Sequence, residues 1–167
     1  MEYVCGFMMS WDMHEFFLIR KTHPKWQKGK WNGIGGKIEN TQKDPALPDI
    51  VETPQEAMVR EFKEETGIET SIKRWHCFHI EQFKNDTKVY YLSAFGDEIK
   101  KYSLGSFLNN REEIKKHTLI DIFWDRGDYI YNLYYLIHMI IYNMRAGSFY
   151  QLNPQGVNFK CEIRYAR

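Results

Sequence analysis

The stretch of sequence that decides the fold has two parts, WNGIGGKIE at residues 31–39 and ETPQEAMVREFKEETGI at residues 52–68, separated by twelve residues. The second part predicts a helix of about three turns from Pro54 to Thr66. Thr53 is a good N-cap residue with a glutamate three positions later, and proline suits the first helical position. Gly67 can adopt the left-handed conformation that ends a helix. The glycines of the first part predict a turn that a ligand can approach closely.

Three glutamates of the predicted helix share one face. Glu61, Glu64 and Glu65 are three and four positions apart, and they lie in the last turn, where the helix dipole disfavours negative charge. Such an arrangement is either solvated or neutralised by a cation. Clustered carboxylate oxygens suit Mg²⁺, or Mn²⁺, and Arg60 can pair with Glu64 one turn away. Taken alone, the three glutamates leave both a solvated face and a metal site open.

The full pattern resembles the Nudix box, in which glycine is followed by five residues, glutamate, seven residues and the run Arg-Glu-apolar-x-Glu-Glu-x-Gly-apolar. Gly36 matches the first glycine, Glu52 the isolated glutamate, and residues 60–68 the run. Fifteen residues separate Gly36 from Glu52 instead of five, so we expect an inserted surface loop at about 41–51. Because a longer loop adds little closure entropy, we expect the motif to survive the insertion.

This resemblance implies an α+β Nudix fold, which is an α/β/α sandwich with a mixed central sheet and the motif as loop, helix and loop. It also implies roles for the motif residues. Glu61 or Glu65 would act as general base, and Arg60 and Glu52 would orient the catalytic carboxylates. The metal ligands would be Glu61, Glu64, Glu65 and the Gly36 carbonyl. Many relatives use a further acid outside the motif, for which the candidates are Asp97, Glu98, Glu112 and Glu113.

Length and composition predict one domain over residues 1–167, which is long enough to bury roughly 70% of its unfolded surface. The net charge of +1 argues against electrostatic capture of nucleic acid or membrane. The three cysteines are widely spaced and form no CxxC, which argues against a disulfide framework or a zinc site. The first residues lack the features of a signal peptide, and the longest apolar run, near 129–142, is too short for a bilayer. We therefore expect a cytoplasmic protein.

The remaining segments predict strands around two helices, a pattern that favours a helix on each side of one sheet. Period-two apolar patterns and turn residues predict strands at 3–9, 15–21, 71–82, 88–96, 149–152 and 157–164. Segment 111–117 is interpreted as a short helix and segment 119–124 as extended chain. A second long helix is predicted over 128–145, with Asp128 as its cap and Gly147 at its end. Its predicted core stripe is Ile130, Leu133, Tyr134, Ile137, Ile141 and Met144.

The residues around the motif indicate a nucleotide substrate. The segment from Trp31 to Lys37 resembles MutT-like enzymes, especially the oxidised-purine nucleoside triphosphatases. In that branch the asparagine matching Asn32 hydrogen-bonds the purine, and a tryptophan matching Trp124 stacks on the base. The paired aspartates expected after that tryptophan are displaced here, which leaves Asp125 as the nearest acid. The other candidate substrate-binding residues are Trp31, Lys37 and Arg20, two of which could meet phosphate oxygens.

Two of these assignments have a structural alternative, because Asn32 can also satisfy a turn and Trp124 can also be a core residue. The resemblance implies a Mg²⁺-dependent nucleoside or deoxynucleoside triphosphate pyrophosphohydrolase that releases the monophosphate and pyrophosphate. The alternatives are a hydrolase of ADP-ribose, NADH or dinucleoside polyphosphates, and a non-catalytic nucleotide sensor. We expect a monomer or homodimer with a small-molecule nucleotide as its partner, no membrane contact and no strong nucleic-acid binding.

Overall fold

The computed structural model describes residues 1–40, 48–101, 107–109, 112–124, 128–146, 148–152 and 158–162. The nine strands are β1 (Glu2–Met9), β2 (Glu15–Arg20), β3 (Trp31–Asn32), β4 (His76–Gln82), β5 (Lys88–Phe95), β6 (Phe107–Asn109), β7 (Glu112–Thr118), β8 (Ser148–Leu152) and β9 (Asn158–Glu162). The three α-helices within these ranges are α1 (Pro54–Thr66), α2 (Leu119–Trp124) and α3 (Leu133–Ala146). The described part of the chain has no helix that is long and apolar enough to cross a membrane.

The strands form one mixed sheet in the order β6-β7-β2-β1-β5-β4-β8-β9, and β3 pairs with β2 outside that row. β1 and β5 run parallel along their whole length, from Glu2 opposite Lys88 to Met9 opposite Phe95. The other pairs are antiparallel, among them the predicted hairpin of β1 and β2. The parallel strands β1 and β5 therefore lie at the centre of the sheet, with antiparallel strands on both sides of them.

Each face of the sheet carries its own core because successive residues of a strand point to opposite sides. On β1, Val4 and Met8 pack with Met58 and Phe62 of α1. The alternate residues of that strand, Cys5, Phe7 and Met9, lie in a second core. Four buried residues of α3 belong to this core, namely Leu133, Leu136, Ile137 and Ile140. The predicted α/β/α sandwich with a mixed sheet is confirmed.

Helix α1 begins and ends at the residues predicted from the motif. The Thr53 side chain accepts a hydrogen bond from the Glu56 backbone, and Glu56 bonds back to the Thr53 backbone, which completes the capping box. At the other end Gly67 has φ 72° and its N–H donates to the Lys63 carbonyl. These caps fix where the carboxylates of the last turn leave the helix.

Two segment predictions after the middle of the chain are wrong. β7 occupies the place of the predicted short helix, because it pairs with β2 from Thr118 opposite Glu15 to Glu113 opposite Arg20. Segment 119–124 is helical rather than extended, since Thr118 and Asp121 cap one another's backbone N–H groups at its start. Strand β4 also begins later than predicted, after a short 3₁₀ turn over Ile72–Arg74.

The second long helix starts later than predicted. Asp128 does not cap it, because its carbonyl accepts a hydrogen bond from the Trp31 N–H and the next residues run beside Trp31. Tyr134 is 48% exposed, so it is not part of the core stripe that contains Leu133 and Ile137. Gly147 and Arg111 lie outside the described residues.

Candidate active site

Arg60 connects the last turns of α1 to the glycine loop. Its Nε and Nη2 bind the two carboxylate oxygens of Glu52 at 2.8 and 2.9 Å. Its Nη1 donates to Glu61 at 2.9 Å and to Glu64 at 3.3 Å. Nη2 also donates to the Lys37 carbonyl at 2.9 Å. One guanidinium thus holds three acids of the motif and the backbone after Gly36.

The insertion leaves Glu52 in place. Two hydrogen bonds join Glu39 and Glu52 across the base of the inserted loop. The Glu39 N–H donates to the Glu52 carboxylate, and the Glu52 N–H donates to the Glu39 backbone carbonyl, both at 3.0 Å. Asn40 and Val51 form an antiparallel bridge beside them. The residues on the two sides of the insertion are therefore neighbours in space, as expected for a loop inserted into the motif. Within the insertion, residues 41–47 lie outside the described residues.

Gly36 lies directly against the Glu61 carboxylate. A Cβ at position 36 would stand 2.3 Å from Glu61 Oε1, so any other residue would force the carboxylate away. The Gly36 carbonyl accepts a hydrogen bond from the Val4 N–H at 2.9 Å, which leaves its second lone pair available. The glycine therefore allows a carboxylate and a backbone carbonyl to approach each other closely.

The acids of the motif differ in how their surroundings affect protonation. Burial raises the pKa of Glu61, although the hydrogen bond from Arg60 opposes the shift. Burial also raises the pKa of Glu65, and the negative charges of Glu112, Glu61 and Glu64 add to it while Lys21 opposes it. The hydrogen bonds from Arg60 hold the pKa of Glu52 below its usual range. Two carboxylates thus carry a charge that their surroundings disfavour and that a nearby cation would stabilise.

Glu112 and Lys21 lie beside these carboxylates, and only Glu112 was among the sequence candidates. Glu112 accepts hydrogen bonds from the Thr22 backbone N–H at 2.7 Å and hydroxyl at 3.0 Å, and from Lys21 Nζ at 3.2 Å. Burial raises its pKa, but these bonds and the Lys21 charge outweigh burial and lower it overall. Lys21 ends a strand-like segment, where sequence alone suggests a solvated lysine.

The other outside acids are placed differently. Asp97 pairs with Lys100 at 3.2 Å on an exposed surface, and Glu113 pairs with Arg20 at 3.7 Å. Glu113 lies one residue from Glu112 and therefore on the opposite face of the sheet. The Glu98 side chain lies outside the described residues. Of the candidate acids whose side chains are described, Glu112 is the one whose charge acts on Glu65.

The donor set fits a hard divalent cation in its chemistry. Carboxylates and a backbone carbonyl are oxygen ligands of the kind that Mg²⁺ and Mn²⁺ prefer. As the described side chains stand, no three His, Cys, Asp or Glu residues are close enough together to hold a metal. Arg60 instead bridges Glu61 and Glu64. The site is therefore an acidic cluster kept together by guanidinium and ammonium groups.

A cavity of about 620 Å³ brings together three of the six predicted substrate-binding residues, Arg20, Trp31 and Trp124. The Arg20 guanidinium stands 5.8 Å from the centre of the Trp31 ring, and the His117 ring meets that ring edge-on at 4.4 Å. Trp31 is only 6% exposed, whereas Trp124 is 86% exposed. The alternative of Trp124 as a core residue is therefore wrong.

Asn32 and Lys37 do not line this cavity. The side-chain oxygen Oδ1 of Asn32 accepts a hydrogen bond from the Gly33 N–H at 2.7 Å, and the side-chain amide donates to Gln27 Oε1 at 3.2 Å. Both bonds are local to the turn. If the Asn32 amide donated to a base, that hydrogen bond would have to replace the one to Gln27. The Lys37 side chain is exposed. Asp125 lies outside the described residues.

Sequence reasoning missed a polar group on the α3 side of the sheet. The Asn132 amide donates to the Tyr91 hydroxyl at 3.4 Å, and that hydroxyl donates to Glu81 at 2.9 Å. The Asn132 side-chain oxygen is buried without a hydrogen-bond partner among the described residues. In the sequence, Asn132 is noticeable only as a polar residue between apolar ones. That pattern is equally typical of a residue that contacts a ligand and of one that begins a helix.

Comparison with known proteins agrees with this architecture. The profile of the NUDIX domain family matches residues 4–123. Curated proteins give no match to the chain. A MutT structure, from work on the Aliivibrio salmonicida and Vibrio cholerae proteins, is 18% identical with a TM-score of 0.55, covering 84% of this chain and 95% of that one.

Two further solved structures share the fold. The NUDIX domain of Shewanella oneidensis NrtR, complexed with ADP ribose, is 15% identical with a TM-score of 0.58, covering 86% of this chain and 88% of that one. A bifunctional NMN adenylyltransferase/ADP ribose pyrophosphatase from Francisella tularensis, with AMP and a Mn ion, is 16% identical with a TM-score of 0.58. It covers 86% of this chain and 41% of that one.

Proposed function

The chain belongs to the Nudix family, whose hydrolases cleave phosphoanhydride bonds in nucleoside-diphosphate-linked substrates, and we propose that this member acts on nucleoside or deoxynucleoside triphosphates. Water would be added across the α–β anhydride to give the nucleoside monophosphate and pyrophosphate. The observation that carries the proposal is the Arg60 network, which gathers Glu52, Glu61 and Glu64 beside Gly36.

Nudix hydrolases generally use divalent metals, and here Glu61, Glu64, Glu65 and the Gly36 carbonyl would hold Mg²⁺, or Mn²⁺ in its place. When bound, such an ion neutralises phosphate charge and lowers the pKa of water. Arg60 and Glu52 act as positioning residues, because the two-point ion pair between them sets the direction of the guanidinium.

A carboxylate of the cluster would take the proton from the attacking water. Glu61 and Glu65 are both candidates, because burial raises the pKa of each and so makes each a better proton acceptor than an exposed glutamate. Glu112 is the acid that would assist from outside the motif, since its charge acts on Glu65 and Thr22 holds its side chain. Lys21 would offset the accumulated negative charge.

The substrate would lie between the acidic cluster and the aromatic cavity. Trp124 offers an exposed ring on which a base can stack, with Trp31 and Arg20 on the cavity wall. Arg20 and Lys37 are cations for phosphate oxygens, and Asn32 is a candidate for contacting the base. A cavity of about 620 Å³ has the size expected of a small-ligand site.

The test is a turnover panel with Mg²⁺, in which Glu64→Gln serves as the blank. The substrates are the common and 8-oxo (d)NTPs, ADP-ribose, NADH and diadenosine polyphosphates. Pyrophosphate from one or a few triphosphates would support the proposal and identify the base. Release of two monophosphates from ADP-ribose, with no turnover of triphosphates, would overturn it.

ADP-ribose is the second candidate because two of the similar folds are connected with it, one as a complex and one as a pyrophosphatase. A third outcome would be binding without turnover of any compound, detected as a thermal shift. That result would identify a nucleotide sensor rather than an enzyme.

A further inference from the structure

Helix α3 carries almost no charge on the face that it turns to water. Residues 129–144 contain no Asp, Glu, Lys or Arg, although these residue types make up 27% of the chain. The face of α3 that packs on the sheet is buried, and it consists of Leu133, Leu136, Ile137 and Ile140. A helix whose other face is also uncharged and rich in aromatic residues is normally covered by another element.

The residues of that other face form a regular row, which we call the outer stripe. Its members are Tyr131, just before α3, and Tyr135, His138, Tyr142 and Arg145 within it, and all five are exposed. The three tyrosines are between 59% and 74% exposed. Successive members are four, three, four and three positions apart. This is the spacing with which one helix packs along another.

Neighbouring rings hold part of the outer stripe in place. The centre of the His138 ring lies 4.7 Å from that of Tyr134 and 5.5 Å from that of Phe123 in α2. The Tyr135 ring meets His79 of β4 edge-on at 6.3 Å. Since these contacts already restrict the rings, burying them against a partner would cost less conformational entropy than burying free side chains. A contiguous aromatic surface of this kind is typical of an interface core.

The order of residues along the outer stripe favours a second copy of this chain as the partner. The stripe is nearly symmetric about His138, as an interface between two identical surfaces requires. If two copies pack antiparallel, Tyr135 lies opposite Tyr142, and Tyr131 lies opposite Arg145. The second pair places a guanidinium group against an aromatic ring, which is favourable. Parallel packing would instead place Arg145 against its own copy, so that two positive charges would meet.

A groove at the C-terminal end of α3 fits the same arrangement. It has a volume of about 300 Å³ and is lined by Trp11, Met13, Met144 and Arg145. In antiparallel packing this groove faces the end of the other helix that carries Tyr131. An apolar groove and an exposed ring would therefore cover each other at both ends of the interface.

The exposed area is sufficient for a dimer. With about 200 Å² for each aromatic side chain, the three tyrosines of the outer stripe and the half-exposed Tyr134 leave roughly 500 Å² in water. His138, Arg145 and the neighbouring Trp11 are exposed as well. Together these side chains approach the ~800 Å² that each partner buries in a standard interface.

We propose that α3 is the dimerisation helix of this protein, and that two copies pack their outer stripes antiparallel around a twofold axis at His138. Trp124, which the proposed function assigns to the nucleotide, is not a member of the outer stripe. The inference therefore does not depend on the proposed function, and nucleotide binding and dimerisation use different residues.

Sedimentation velocity of the full chain over a wide range of concentration tests the inference. We expect a species with twice the 20.1 kDa mass of one chain, which dissociates on dilution. Tyr135→Ala should raise the dimer dissociation constant at least about 30-fold, because a central aromatic anchor typically contributes such a factor and the dimer contains two of them. Alanine favours helix, so circular dichroism should show no loss of helix. Trp26→Ala, which removes a similarly exposed ring from the loop after β2, should leave the dissociation constant unchanged.

Cross-linking with a short bis-maleimide tests the orientation. The background is Cys161→Ser, because the other two cysteines are buried. His138→Cys should cross-link to its own copy. Tyr131→Cys should not cross-link alone, but it should cross-link to Arg145→Cys when the two variants are mixed. Cross-linking of Tyr131→Cys to its own copy would overturn the antiparallel arrangement.

A monomer at every concentration would overturn the inference, as would a dimer whose dissociation constant is the same in Tyr135→Ala, Trp26→Ala and the native protein. Binding of the monomeric chain to phosphatidylcholine vesicles, lost in Tyr135→Ala, would overturn it in favour of a membrane surface.

Discussion

Arg60 and Glu52 form a two-point ion pair, with Nε to Oε1 at 2.8 Å and Nη2 to Oε2 at 2.9 Å. The Glu52 side chain is only 8% exposed, so the pair is largely shielded from water. The hydrogen bonds from Arg60 hold the pKa of Glu52 below its usual range, which keeps Glu52 ionised. The pair sets the direction of the guanidinium group that contacts the next two acids of the motif.

The first prediction concerns Arg60→Lys. An ammonium group cannot make the parallel two-point contact, so Glu52 and the acids of the motif should lose their fixed geometry. We expect kcat/KM to fall about 10–100-fold, as is typical when a residue that orients metal ligands is changed. The measurement is steady-state kinetics, and the control is Arg145→Lys, which changes an exposed residue in the last turn of α3. Equal activity of the two variants would contradict a positioning role for Arg60.

The second prediction concerns Glu64→Gln, which removes the charge of a proposed metal ligand without changing the shape of the side chain. We expect kcat to fall at least ~100-fold with little change in Tm, because more than half of this side chain is exposed. The matched control is Glu69→Gln, which changes an exposed glutamate just beyond the same helix. Near-normal turnover of the Glu64 variant would exclude Glu64 from the site.

The motif helix could be predicted to the residue because its signals are local. Thr53, Pro54 and Gly67 act within one turn of where they stand, so no distant contact is needed to place the helix ends. The spacing from Glu61 to Glu65 likewise fixes a shared helix face. The sandwich followed from alternating strands and from the resemblance to the Nudix box.

Segments whose structure depends on distant partners could not be predicted. β7 has a polar sequence that suggests a helix, yet pairing with β2 makes it a strand. Asp128 looks like a helix cap, yet its carbonyl bonds to Trp31 almost a hundred residues earlier. For the same reason the sequence does not single out Lys21, because its ion pair with Glu112 depends on the pairing of β2 with β7.

The third prediction tests the aromatic cavity through Trp124→Ala. This side chain is 86% exposed, so the free energy of unfolding should barely change. Nucleotide affinity should fall by about 1–3 kcal/mol if the ring stacks on a base. Isothermal titration with a non-hydrolysable triphosphate measures the affinity, and Tyr142→Ala, an exposed ring elsewhere on the α3 side, is the control. Equal affinity for both variants would remove Trp124 from the binding site.

The fourth prediction separates two roles of Asn32. If its side chain contacts the base, Asn32→Ala should weaken nucleotide affinity by about 1–3 kcal/mol. Gln27→Ala removes the hydrogen-bond partner of the Asn32 amide and leaves Asn32 itself present. It should therefore preserve affinity. A lowered Tm with unchanged KM for purine and pyrimidine nucleotides would mean that Asn32 serves only the turn.

The fifth prediction concerns the pH dependence of stability. The pKa of Glu112 is lower in the folded protein than its ordinary value of 4.5, because hydrogen bonds from Thr22 and the charge of Lys21 outweigh burial. A lowered folded-state pKa stabilises the protein above about pH 4.5, and this stabilisation is lost as pH falls through the folded-state value. Between about pH 6 and pH 3, Glu112→Gln should therefore lose less free energy of unfolding than the native protein does.

Urea denaturation at the two pH values measures this difference. Glu113→Gln is the control, because its carboxylate makes a longer and more exposed ion pair with Arg20 on the opposite face of β7. Removing that pair should change the pH dependence less than removing the Glu112 bonds. If Glu112→Gln and the native protein lost equal stability on acidification, Glu112 would not be the acid that Thr22 and Lys21 hold ionised. Its proposed part beside Glu65 would then lack its electrostatic basis.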